Sequence, residues 1–241
     1  MQILRDWFGG KIRFLLLLVV LFAAGVCGVS TGIDLWTEWK TPPFDRVKEA
    51  MLYATKASSY RYTSEAVRIS NGKEQVITKL CGEKYGDAVH LYGTADIINT
   101  EINVYQIGDT FYRQDIVSDA WMVMTGQDIE ATEYLMQEIN PLGCFVLADG
   151  ANVTELGKEK LDGITCKKYQ VQSSGESTFL TSVWREFYYT VWLDKQHRLK
   201  QVEIIADDHE QNAEQLRLVV LFDWDGQVTE INAPVSLLAA R

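Results

Sequence analysis

The chain has 241 residues, 47% of them hydrophobic, and carries 23 Lys and Arg against 33 Asp and Glu for a net charge of −10. That length is ample for a buried core, and the acidic balance argues against binding to nucleic-acid phosphates or electrostatic adhesion to anionic headgroups. Histidines and cysteines are scattered with no CxxC, and no GxSxG, HExxH or P-loop is present, so neither an enzyme, a cofactor nor a zinc site is expected.

Residues Phe14–Ile33 form a run of twenty without a charge, between Arg13 and Asp34. At about 1.5 Å per helical residue this spans roughly 30 Å, the thickness of a bilayer's hydrocarbon core. Arg5, Lys11 and Arg13 against Asp6 place the thirteen residues before it in the cytoplasm and the chain beyond residue 34 outside. The same segment also reads as a signal peptide cleaved after Gly28, or as a lipoprotein signal ending at Cys27, with Val26 where a small residue is usual. All three readings export the rest of the chain. Without Arg5, Asp6, Lys11 and Arg13 that remainder has a net charge near −12.

Asp34–Thr41, with Trp36 and Trp39, is expected as a tether at headgroup level. A domain over residues 42–234 follows, with a short tail over 235–241. Pro42 and Pro43 open a helix to about Ser58, in which Phe44, Val47, Met51, Leu52 and Ala54 recur at helical spacing, with Asp45 in its first turn and Lys56 near its end.

From Tyr60 the period becomes two. Strands are expected at Tyr60–Ser70, Gln75–Tyr85, Ala88–Ile98, Glu101–Ile107, Thr110–Gln114 and Trp121–Met124, with tight turns at Asn71-Gly72 and Gly108-Asp109. A second helix is expected over Gln127–Asn140, stopped by Pro141 and Gly143, while Leu142–Leu147 reads equally as helix or strand. Strands resume at Asn152–Leu156, Thr165–Val171, Glu186–Leu193, Leu199–Ala206, Gln215–Trp224 and Val228–Ile231. Ser173–Ser182 is a loop, and Asp194–His197 a hairpin connection.

Phe187, Tyr189, Val191 and Leu193 share one strand face with Tyr188, Thr190 and Trp192 opposite. Leu216, Leu218, Val220, Phe222 and Trp224 likewise share a face. Apolar residues on both faces call for a second layer, which the two helices supply. The expected fold is therefore α+β: a curved antiparallel sheet of about 10–11 strands, an incomplete barrel, with helices on its concave side. Its hollow is either filled by side chains or holds an apolar ligand. Trp121, Phe187, Tyr189, Trp192, Phe222 and Trp224 are the candidates to line it.

Cys144 and Cys166 both sit beside loop-like sequence and are the favoured disulfide, leaving Cys81 over; three buried thiols are the alternative. The acidic stretch Asp207–Glu210 around His209 lacks the ligand order of a calcium loop, so no metal site is expected. Asn152-Val153-Thr154 is a glycosylation sequon.

Several stretches carry a resemblance: Tyr60-Arg61-Tyr62 entering the first meander, Val104 to Tyr112 (VYQIGDTFY), Leu161 to Tyr169 (LDGITCKKY) and Val191 to Lys195 (VWLDK). Over residues 42 to 232 the chain resembles the LolA/LolB-like superfamily of lipoprotein-localisation factors, with the mycobacterial LppX/LprG-type lipid carriers, and is most similar to uncharacterised Gram-positive relatives. The resemblance implies an incomplete barrel plugged by helices and non-catalytic binding of a lipid or acylated protein. Related folds also imply an alternative, a sensory or scaffolding domain bound to an envelope protein such as a stress regulator. The chain departs from the carriers in lacking a convincing lipobox, and an anchored protein cannot shuttle.

Overall fold

The computed structural model describes residues 41–96, 99–115, 118, 120–125, 142, 145, 147–172, 184, 186–207 and 214–234. The chain divides into a unit of residues 1–42 and a unit Pro43–Arg241, and the elements described here belong to the second. Outside the described residues lie the uncharged run 14–33 with Cys27, the tether up to residue 40, the expected helix at 127–140, Cys144, the loop 173–182, residues 208–210 and the tail 235–241. Among the described residues, no helix is long and apolar enough to cross a membrane.

Helix α1 (Pro43–Lys56) starts where expected. Proline suits the first helical position, since its missing N–H would find no partner there. Asp45 in the first turn and Lys56 in the last complement the helix dipole. Val47, Ala50 and Ala54 fall on one stripe and are buried; the two alanines let the helix backbone come close to what it covers.

Eleven strands follow: β1 (Ser59–Ser70), β2 (Lys73–Tyr85), β3 (Ala88–Ala95), β4 (Thr100–Ile107), β5 (Thr110–Gln114), β6 (Trp121–Thr125), β7 (Asn152–Leu161), β8 (Ile164–Gln172), β9 (Glu186–Leu193), β10 (Leu199–Asp207) and β11 (Glu214–Asp223). They form one antiparallel sheet in the order β6-β5-β4-β3-β2-β1-β11-β10-β9-β8-β7. Two sequential meanders, β1–β6 and β7–β11, are thus joined by pairing of their first and last strands, with Tyr62 opposite Phe222. Strands β6 and β7 are the two edges, so the sheet is an open barrel.

Local chemistry sets the turns. Asn71 and Gly72 have φ of 51° and 73°, the double positive pair of a type I′ hairpin, whose twist matches the strands it joins. At the β9–β10 connection the Asp194 side chain does the work. Its Oδ1 accepts from the backbone N–H of Gln196 and Arg198, both at 2.9 Å, and its Oδ2 accepts from Arg198 Nε at 2.8 Å.

The expected strand at Val228–Ile231 does not form. Both edges of β11 are already occupied by β1 and β10, so a strand returning from it has nothing beside it to pair with. The chain instead turns at once, Asp223 Oδ1 accepting from the N–H of Asp225 and Gly226. Strand β3 stops at Ala95, short of the expected Ile98, and β7 runs on to Leu161 through a bulge between Glu155 and Gly157.

One apolar cluster spans both meanders. Leu80, Leu91, Val104 and Phe111 from β2–β5 join Tyr169, Val171, Tyr189, Val191, Val202, Ile204, Val220 and Phe222 from β8–β11, together with Val47, Ala50 and Ala54 of α1. Helix α1 packs on β7, β9 and β10. Trp184, Ala206 and Leu216 form a smaller cluster of their own.

Candidate functional site

Alternation along each strand sorts the six sequence-predicted lining residues onto two faces. Tyr189 and Phe222 lie in the main cluster, and Phe187 and Trp224 pack against it, so these four are on the face that α1 covers. Trp192 lies between Val191 and Leu193 and points the other way. Its ring lies under Lys168 Nζ at 4.9 Å and its Nε1–H donates to Glu159 at 3.1 Å. Trp121 is also on the outer face, packed edge-on against Tyr105 at 5.5 Å.

The inner four form two groups. In the first, Phe222 and Trp224 stack at 5.8 Å and meet Tyr60, whose ring is 5.7 Å from Phe222 and 5.1 Å from Trp224. Tyr62 adds to Tyr60 at 6.1 Å, and Tyr53 reaches Trp224 from α1 at 5.3 Å. Trp224 Nε1–H donates to the Leu199 carbonyl at 2.6 Å, which satisfies the one polar atom of that ring. Two cations edge the group: Lys84 Nζ is 5.6 Å from the Tyr60 ring centre and donates to the Thr55 carbonyl at 2.8 Å, and the Arg198 guanidinium is 5.8 Å from the Trp224 ring centre. In the second group Tyr189 meets Phe145 edge-on at 4.7 Å and Phe187 at 6.3 Å.

Among the inner-face residues that the sequence does not single out as lining are Tyr60, Tyr62 and Arg46. For the tyrosines a signal existed, because aromatic residues two apart in a strand share a face. Their pairing opposite β11 had no signal. Arg46 is buried under α1, where its guanidinium pairs with Glu155 at 3.2 Å and its Nη1 donates to the Tyr169 hydroxyl at 3.4 Å. This polar anchor fixes α1 against β7 and β8, since a buried cation without such partners would be costly.

The two tyrosines give a testable pH dependence. Burial pushes Tyr60 from its ordinary value of 10 up to about 12, and pushes Tyr62 higher still, with Tyr60 alongside adding to the effect. The folded values lie above the unfolded ones, so this contribution to stability is complete below pH 10 and is lost as pH rises through about 12. In an alkaline titration followed by tyrosinate absorbance and near-ultraviolet circular dichroism, Tyr60 and Tyr62 are expected to ionise only as the fold is lost. A Tyr60→Phe variant should hold its fold further into that window. Ionisation of every tyrosine near the ordinary value, with the dichroism intact, would contradict the burial.

Cys166 is a free, buried thiol, with its Sγ 3.7 Å from the Ile164 carbonyl; Cys144, its expected bridge partner, lies outside the described residues. Cys81 is free as well. Among the described residues, no group of three or more His, Cys, Asp or Glu could hold a metal ion.

No protein-family model and no curated protein matches the chain. Among solved structures it is similar to the lipoprotein LppX of Mycobacterium tuberculosis at 13% identity and a TM-score of 0.49, over 78% of this chain and 98% of that one. It is also similar to LprF from Mycobacterium bovis, at 13% identity and a TM-score of 0.48 over 79% and 96%. A LolA superfamily protein from Nitrosomonas europaea has 10% identity and a TM-score of 0.31 over 74% and 94%.

Proposed function

We propose that this chain is a non-catalytic, membrane-anchored extracytoplasmic protein that binds a hydrophobic ligand, a lipid or the acyl chain of a lipoprotein, on the inner face of its sheet. The observation that carries the reading is the continuity of the apolar face. It runs across both meanders of a sheet whose edges β6 and β7 stay apart, and α1 packs on β7, β9 and β10 while the same cluster extends to Leu91, Val104 and Phe111 on β3–β5. A long apolar chain needs elongated, water-excluding surroundings with few polar groups to satisfy. Leu91, Val104 and Phe111 are themselves packed and buried, so a bound chain would take its place among them by displacing side chains. The uncharged run at residues 14–33 supplies the export and anchoring part of the proposal.

The test is native mass spectrometry of the full chain after mild extraction, with displacement of a fluorescent fatty acid as a second readout. The expected result is a bound lipid mass and saturable uptake of the probe. A ligand-free mass with no uptake would remove the lipid reading and leave the envelope-partner reading in its place.

A further inference from the structure

The outer face of the sheet carries a groove with different chemistry. It is an open groove of about 550 Å³ over β3, β4 and the end of β5, within the size range of small-molecule sites. Its walls include Tyr92, Thr94, Glu101, Asn103, Gln114 and Asp115. Tyr92 and Asn103 face each other across β3 and β4, and Gln114 pairs with Trp121 of β6, which sets these side chains along one row of the outer face.

Two features show organisation. The first is an amide relay: His90 Nε2 lies 3.0 Å from Asn103 Oδ1, and Asn103 Nδ2 donates to Gln114 Oε1 at 2.9 Å. An amide oxygen only accepts, so His90 carries its proton on Nε2 and the Gln114 carbonyl is used within the relay. Gln114 itself lines the groove, and with its carbonyl taken up in the relay its amino group is the part with donor capacity for a ligand. The second is a ledge of flat rings. His90 stacks on Tyr105 at 3.9 Å with the planes 9° apart, and its other neighbour Tyr92, 4.9 Å away, is 40% exposed at the groove.

Charge narrows the ligand. Among the described residues the groove wall contains the carboxylates Glu101 and Asp115, the latter accepting from Ser118, and neither Lys nor Arg, which disfavours phosphates and carboxylates as ligands. Amide donors, carboxylate acceptors and a hydroxyl beside an exposed aromatic ring suit a molecule that has many hydroxyls, each able to donate and accept, and an apolar C–H face. A sugar ring has both. We propose that this groove binds a neutral saccharide, with Tyr92 as the stacking platform and Gln114, Asn103 and Glu101 as hydrogen-bonding partners of its hydroxyls. Ile102 of the groove wall also packs against the inner cluster, but the proposal does not depend on lipid binding at the inner face.

The experiment uses the full chain in a polyoxyethylene detergent, because glycoside detergents carry a sugar headgroup that would compete. Chitotetraose, cellotetraose and maltotetraose are titrated separately by isothermal calorimetry. Saturable binding of at least one is expected, with a Kd of about 1 mM or tighter. Tyr92→Ala and Gln114→Glu should each weaken it about tenfold, the second by replacing a donor with an acceptor of the same shape. Leu221→Ala, on the outer face of β11, should leave it unchanged. Absence of saturable binding for all three sugars overturns the proposal, as does binding that survives both groove substitutions. Should Tyr92→Ala fail to fold, the isosteric Gln114→Glu decides alone.

Discussion

Replacing Phe222 with alanine is expected to lower the free energy of unfolding by about 3–5 kcal/mol, the cost of emptying a packed aromatic site. Phe222 is 1% exposed, meets the rings of Tyr60 and Trp224, and faces Tyr62 across the β1–β11 pairing. That pairing joins the two meanders, so the void opens at their junction. The collapse that would refill it is opposed by the ladders on both sides of β11 and by the Lys200 Nζ that donates to the Phe222 carbonyl at 3.3 Å. Chemical denaturation measures the loss as a lower midpoint at unchanged slope. A loss below about 1 kcal/mol would mean that the ring is not packed as described. The same void would lengthen the apolar surface proposed to take a ligand, so the stabilising effect of a bound fatty acid should be larger in the variant than in the parent.

Gly82→Ala is the second large effect, and here two contributions oppose each other. Away from this site, alanine would be favoured in a strand, by about 0.4–1 kcal/mol from the reduced freedom of the unfolded chain. At Gly82 the added Cβ would stand 1.9 Å from Tyr62 Cζ and 2.1 Å from its Cε1. Tyr62 is 2% exposed and held among Tyr60 and the residues of β11, so its ring has nowhere to go. Overpacking of this kind costs about 1–3 kcal/mol, and steric crowding wins. The check is a double-mutant cycle. In a Tyr62→Val background the Gly82→Ala penalty should largely vanish, giving a coupling energy of about 1 kcal/mol or more. An unchanged penalty in that background would show that something other than the Tyr62 ring occupies the space.

Particular elements show how far the sequence could be read. Helix α1 and its first residue were legible from Pro43, Asp45 and the spacing of Val47 and Ala54, because each acts within a few residues of itself. The hairpin at Asn71-Gly72 was legible for the same reason, since positive φ is a property of those two residues. The division of β9 and β11 into faces also followed from alternation. What alternation could not say is which face is the inner one. The aromatic content of β9 suggests Trp192 as lining alongside Phe187 and Tyr189, yet Trp192 points the opposite way from the other two. It is buried outside by Lys168 and Glu159, whose chain positions give no hint of the contact.

Val228–Ile231 failed for a related reason. Its residues favour a strand, but a strand exists only if an edge is free, and that depends on the order of the whole sheet. The outer groove had no sequence signal at all. Its relay joins His90, Asn103 and Gln114 from three different strands, and each is unremarkable alone.

The amino-acid sequence by itself determined what is local: the uncharged run of residues 14–33, the helix, the strand periods, the turns, and the aromatic and β-branched content of a meander. Backbone preference and side-chain spacing act over a handful of residues and need no partner. Only the tertiary structure decided that β1 pairs with β11, that Tyr60 and Tyr62 meet Phe222 and Trp224, and which tryptophans face inward. The β1–β11 contacts join residues more than a hundred positions apart, and their register is chosen by the packing of the whole sheet.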